Sequence, residues 1–454
     1  MRTGTFVVMA LMAAGAASAQ EHGALTVPAE AVTAIAIQNP APPNAATLTL
    51  RQAQDLAIKN HPRILAAQNA ASAVGQTVRE NRAAYYPTLT GVVTAVGSTD
   101  DNARIGAGAI SASRLISRTS PGLVLSQLVT DLGRTPNLVA SARLQEQASQ
   151  QNVELTREQV LLDVDSAYFG VLRSQGVMRT AQQTVDARQL VFDQVNTLAQ
   201  NNLRSQLDVT FADVNLSDAK LLLIQAQNNL QEAYARLAHA LGSDTPVAYQ
   251  LADEPLPASL PADAESLVAQ ALAERPDVAR AKFDRDAAYK FAYAERDLNR
   301  PSVAVAAVAG TIPYLNESVA ATTPENYAGA AVNVNVPVFN GGLFSARHAA
   351  ADLHAQELDQ TLRDIQEQVA QDVRVAFANA TTGYQRLDVT AQFLRSATLA
   401  LDLAQGRYNL GLASIVELTQ AQLNVTRAEI ENLSARYDYQ VQYAGLQYAL
   451  GRLR

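Results

Sequence analysis

The chain is written twice. LTLRQAQDLAIKNHPRI at 48–64 is answered by ESLVAQALAERPDVA at 265–279, and YYPTLTGVVTAVG at 85–97 by NRPSVAVAAVAG at 299–310. Pro62 falls opposite Pro276 and Pro87 opposite Pro301, both 214 positions apart. DLGRTPNLVASARLQEQ at 131–147 then matches NGGLFSARHAAADLHAQ at 340–356, now 209 positions on. That second spacing holds for Asp163 and Asp372, Tyr168 and Phe377, Asp208 and Glu417, and Gly242 and Gly451. Internal repetition limits the fold more than any local propensity does, because both halves must build the same elements in the same order. The step from 214 to 209 places one length difference in a loop between the second prolines and the following glycines.

Each half reads as a short helix ending near Pro62 or Pro276, a helix leading to Pro87 or Pro301, two strand-like runs, and a long helical stretch broken once. The first repeat covers 48–242 and the second 263–454, joined by a Pro-rich linker at 243–262. From Pro136 to Ala199 an unbroken helix would be roughly 95 Å long at 1.5 Å per residue, with 344–407 as its twin. Shorter partners follow, so 136–241 and 344–450 are predicted to fold back as helical hairpins with tips near Asn202 and Gly411. Strands are expected at 88–97, 122–130, 302–310 and 330–339. In the last, Val332, Val334, Val336 and Val338 face one way while Asn333 and Asn335 face the other. Runs of this length cross a hydrocarbon core at a tilt; a small soluble sheet is the other reading. Four strands cannot close a barrel, and lipid does not tolerate open edges. If they span a membrane, several chains must contribute them.

Composition narrows the partners. A formal charge of −8 gives no support to nucleic-acid binding. There is no Trp, and many of the apolar residues are Ala, which suits close helix packing. Arg2 followed by FVVMALMAAGA and the small residues ASA at 17–19 reads as a secretory signal peptide over 1–19. A flexible, proline-containing stretch is expected over 20–47. With no Cys, the chain lacks the residue a lipid anchor would need. HExxH, a Walker glycine loop and GxSxG are all missing, and the five His, including His61, His348 and His354, show no ligand spacing. The sequence therefore points to no enzyme, no cofactor and no metal.

The tips carry the remaining signal. Gly411 and Asn202 break helices readily. Asp208 and Glu417 each lie six positions after them, close to the next helix N-terminus, where a carboxylate is favoured. A single such carboxylate is usually a cap or a surface group. The doubled placement raises another role, because in a symmetric oligomer each becomes a ring that can select and gate.

The duplicated halves, the prolines before the strands, VPVFNGG at 336–342 and YNLG…IVEL at 408–418 together resemble the outer membrane efflux protein family, the TolC-like exit ducts. The resemblance implies a mixed fold: a homotrimer with a twelve-stranded outer-membrane β-barrel, continued by a twelve-helix periplasmic tunnel with an equatorial domain around its middle. It implies a passive duct for small molecules or secreted proteins, located in the outer membrane of a Gram-negative bacterium. Partners would be outer membrane lipid, a periplasmic adaptor and an inner-membrane pump of the RND or ABC type. Carried onto this chain, Glu417 matches the first of two constriction aspartates and Gln420 stands at the second. Tyr408 matches a tip tyrosine that bonds to the neighbouring hairpin, with Asp208 as its acidic partner. Ala413 replaces the tip arginine, for which Arg204 is a candidate substitute. Asn202, Leu203, Gly411 and Leu412 would be gripped by the adaptor. A non-conducting periplasmic coiled-coil scaffold or adaptor is the alternative, and it has no need of four membrane-length strands.

Overall fold

In a computed structural model of the chain, the described residues are 47–97, 118–243, 249–257, 260, 263–313 and 325–453. The expected signal peptide, the N-terminal stretch up to residue 46, most of the two strand-connecting loops and part of the linker lie outside them.

The first half runs β1 (Thr47–Leu48), α1 (Leu50–Asn60), α2 (Pro62–Ala83), β2 (Thr88–Val96), β3 (Arg118–Thr130), α3 (Arg134–Gln200) and α4 (Gln206–Ala240). The second runs β4 (Gln250–Leu251), α5 (Ala264–Glu274), α6 (Pro276–Arg296), β5 (Ser302–Thr311), β6 (Asn326–Asn335), α7 (Leu343–Asn409) and α8 (Ile415–Ala449). The two long helices α3 and α7 have 67 residues each, and α4 and α8 have 35 each. At 1.5 Å per residue α3 and α7 are about 100 Å long.

These helices form a layer. In its lower part the order is α4, α3, α8, α7; in its upper part α2, α3, α6, α7. The long helices run through both levels and the short ones are stacked end to end. Their joints explain two glycines. Gly242 closes α4 with φ +70°, and a Cβ there would lie 2.9 Å from the Cα of His61, the residue that caps α2. Gly451 repeats this below α6, with φ +71° and a Cβ position 3.1 Å from the Cα of Arg275. Only glycine permits that approach together with a left-handed φ. Proline then opens each upper helix, where its missing N–H costs nothing. His61 is buried, and its Nδ1 accepts the Arg63 N–H. Burial, reinforced by Arg63, holds it below the usual imidazole range. It is a capping residue.

A smaller layer grips the middle of the long helices. β1 pairs parallel with β4, α1 packs on α3, and α5 packs on α7. The fully buried Tyr168 fixes this layer to α3, its hydroxyl 2.9 Å from the Leu48 carbonyl and 2.7 Å from that of Ala252.

Above α3 and α7 the strands form one antiparallel sheet in the order β2-β3-β5-β6. Its register separates two faces. Leu89, Leu125, Ala307 and Ala330 share one cross-strand row, and Val303 with Val334 and Val305 with Val332 lie on the same face. The other face carries Thr88 opposite Ser126, Thr94 opposite Ser120 and Ser302 opposite Asn335. The apolar face is uncovered, with Val93 75%, Val332 66% and Val334 61% exposed. β2 and β6 are the edges, each paired on one side only. Among the described residues no helix is long and apolar enough to cross a membrane.

Candidate functional site at the helical tips

Both hairpins turn by the same device. At the end of α3, Asn202 takes φ 59°, and the N–H groups of Asn202 and Leu203 return to the carbonyls of Ala199 and Leu198. At the end of α7, Gly411 takes φ 74°, and Gly411 and Leu412 return to Tyr408 and Arg407. These paired bonds satisfy the last carbonyls of a helix that ends in a left-handed residue. Asparagine is the non-glycine residue that accepts this conformation most readily, which accounts for the difference between the halves.

A serine then opens each return helix. The Ser205 hydroxyl accepts the Asp208 N–H and the Asp208 carboxylate accepts the Ser205 N–H, a complete capping box. Ser414 accepts the Glu417 N–H in the same way. Here the two halves diverge, because the Glu417 carboxylate turns to Arg407, whose Nε lies 3.5 Å from its Oε1. Arg407 also donates to the Leu412 carbonyl across the turn. Gln420, one turn on, is exposed and donates to Asn424.

The expected bond between Tyr408 and Asp208 is not made within the chain. Tyr408 is 6% exposed, and its hydroxyl is buried without a hydrogen-bond partner. The Asp208 carboxylate is committed to its cap instead. Burial pushes the Tyr408 phenol above its usual range, with Arg204 pulling it down and Asp208 pushing it up. What does reach Tyr408 from the first hairpin is Arg204. Its guanidinium carbon lies 4.5 Å from the ring centroid, and its Nη2 is 3.5 Å from the Tyr408 carbonyl. Above this contact Val195, Val209, Ala212, Ile415 and Leu418 form an apolar plug with Tyr408, with Ala413 packed at its edge. Leu203 and Leu412 project outward, 69% and 67% exposed.

Arg407, Ser205 and Ser414 were not among the sequence-derived site residues. The serines had a readable signal, since SQLD at 205–208 and SIVE at 414–417 are both capping-box patterns. Arg407 had none, because ten residues and a turn separate it from Glu417.

The model of the outer membrane efflux protein family matches residues 53–243 and 267–452, one segment for each repeat and each containing a tip. The chain belongs to that family. Among its relatives is the outer membrane protein TolC of Escherichia coli, 24% identical over 347 residues, which span 74% of this chain and 70% of TolC. The outer membrane efflux protein BepC of Brucella suis is 23% identical over 411 residues, 89% of this chain and 86% of BepC. Among solved structures, a membrane protein from Pseudomonas aeruginosa superposes with a TM-score of 0.77 at 22% identity, covering 88% of this chain and 93% of that one. The outer membrane protein VceC of Vibrio cholerae gives 0.75 at 18% identity, covering 88% and 96%. The outer membrane efflux family is one of transport ducts, and this member is not an enzyme.

Proposed function

We propose that the chain is the outer membrane exit duct of a tripartite efflux or type I secretion system and works as a homotrimer. One observation carries this reading: every level of the fold ends in two unlike, unfinished edges. On one side stand β2, α2 and α4; on the other, β6 and α7. α4 exposes Leu207, Phe211, Val214 and Leu221, spaced four, three and seven residues apart as along a coiled-coil seam. α7 exposes Val389 and Leu403, and its C-cap Leu410 continues the same line at multiples of seven residues. Joining the second edge of one copy to the first edge of the next repeats around a ring, and a ring leaves no strand edge open.

The uncovered apolar face of the sheet would then meet lipid, and the Thr, Ser and Asn face would line water. Two copies would give eight strands, a barrel filled by its own side chains. Three give twelve strands above a tunnel of twelve helices. The tips form the periplasmic entrance, with Glu417 of each copy at its rim. The exposed Leu203 and Leu412 beside Asn202 and Gly411 offer the adaptor its grip, and the pump behind the adaptor supplies the energy. A periplasmic scaffold would leave the valine face of the sheet without purpose.

The test is single-channel recording of the purified full-length chain in a planar bilayer, beside gel mobility with and without heating. A small conductance from a heat-modifiable trimer supports the duct. Recovery of a folded monomer with the soluble periplasmic fraction would sink it.

A further inference from the structure

We propose that Arg204 is the latch between the two hairpins of each chain, and that it holds through the ring face and backbone of Tyr408 rather than through the tyrosine hydroxyl. This rests on reading the tips as the entrance of a duct, because parting the hairpins within each copy would widen that entrance.

The geometry is specific. Arg204 sits in the turn of the first hairpin, between α3 and α4. Among the described residues it has no carboxylate partner, and both of its contacts across the hairpins are to residue 408: the ring, with the guanidinium carbon 4.5 Å from its centroid, and the carbonyl at 3.5 Å. A guanidinium over an aromatic face is attracted by the ring quadrupole, and more strongly where water is displaced. The carbonyl it approaches belongs to the last turn of α7, where the helix dipole favours a cation. Three attractions therefore converge on one side chain. The hydroxyl of Tyr408, buried and unpartnered, adds none.

The repeat shows that the arrangement is particular to one half. The position of Arg204 in the second repeat is Ala413, which packs on the apolar plug. Each chain thus carries one such arginine, reaching from the first tip to the second. One further polar tie crosses the seam nearby, Asn215 Nδ2 to Thr419 Oγ1 at 3.2 Å, two turns above the tip. It steadies the hairpins behind the latch but does not reach the turn.

The chain has no Cys, so labels can be placed without background. Spin labels on Leu203→Cys and Leu412→Cys report the distance between the two tips in the assembled protein, and single-channel recording reports the entrance. Arg204→Gln and Tyr408→Leu should both lengthen and broaden the distance and raise the resting conductance several-fold. Tyr408→Phe should match the parent in both readouts. Arg204→Lys should fall between, since an ammonium can sit over the ring but lacks the planar fork. The latch is overturned if Arg204→Gln leaves the distance unchanged, or if Tyr408→Phe opens the tips as far as Arg204→Gln does. Distances that respond as expected while conductance stays flat in every variant would keep the latch and remove the duct.

Discussion

Arg407 and Glu417 face each other across the second turn, Nε to Oε1 at 3.5 Å, with 57% and 45% of their side chains exposed. In the proposed duct this carboxylate would stand at the rim, partly neutralised by its own chain. Glu417→Gln would leave Arg407 alone at the rim, so the cation preference of the channel should fall and block by divalent cations should weaken. Reversal potentials in a salt gradient check this. Folding stability should hardly move, because an exposed pair of this kind is worth about 0–1 kcal/mol.

Asp208 is expected to act differently despite its matching position. Its carboxylate closes a capping box, so Ser205→Ala should destabilise the start of α4 by about 0.5–2 kcal/mol. Hydrogen exchange should quicken at Gln206, Leu207 and Asp208 and stay unchanged at the start of α8. Equal loosening of both helices would contradict it.

Tyr168→Phe removes the hydroxyl that meets the Leu48 and Ala252 carbonyls. The Leu48 carbonyl keeps the Ala252 N–H, so the acceptor left without its partner is the Ala252 carbonyl, at a cost of about 1–3 kcal/mol. The loss should appear as faster exchange along β1 and β4, with conductance unaffected because the tips lie far below.

The equatorial layer also predicts a pH dependence. Burial pushes the Asp165 carboxyl from its ordinary 3.8 up to about 6, opposed by the hydrogen bond that Gln54 donates. The folded chain therefore holds a proton that the unfolded chain releases, so this group favours folding most below its ordinary value, and that contribution is lost as pH rises to about 6. Asp165→Asn should flatten this part of the stability profile and stabilise the protein at neutral pH by up to about 3 kcal/mol. Thermal unfolding across the acid range measures both effects.

The order of elements was legible because the repeat supplies each half with a second copy of its own pattern. Pro62 with Gly242, and Pro276 with Gly451, mark joints that a single half would have left ambiguous. The strands were less sharply marked. β6 runs over Asn326–Asn335, whereas the valine alternation continues to Val338. Pro337 lacks the N–H that another ladder bond requires, so alternation alone overran the pairing. At the tips the turns and return helices could be read, but their contacts could not. Arg204 and Tyr408 stand 204 positions apart, and only the packing of α3 against α8 brings them together. In the same packing Tyr408 and Asp208 do not meet, and the Asp208 carboxylate accepts the Ser205 N–H.

The two open strand edges and the bare valine face have a consequence for how the protein is made. A lone copy released into water carries an adhesive surface and two templates for wrong pairing. Neither lipid alone nor sister copies alone would quench both hazards: lipid cannot pair the backbone of β2 and β6, and sister copies cannot cover Val93, Val332 and Val334. For the proposed ring, maturation should therefore depend steeply on subunit concentration, and escorts that shield exposed strands should matter most before it closes.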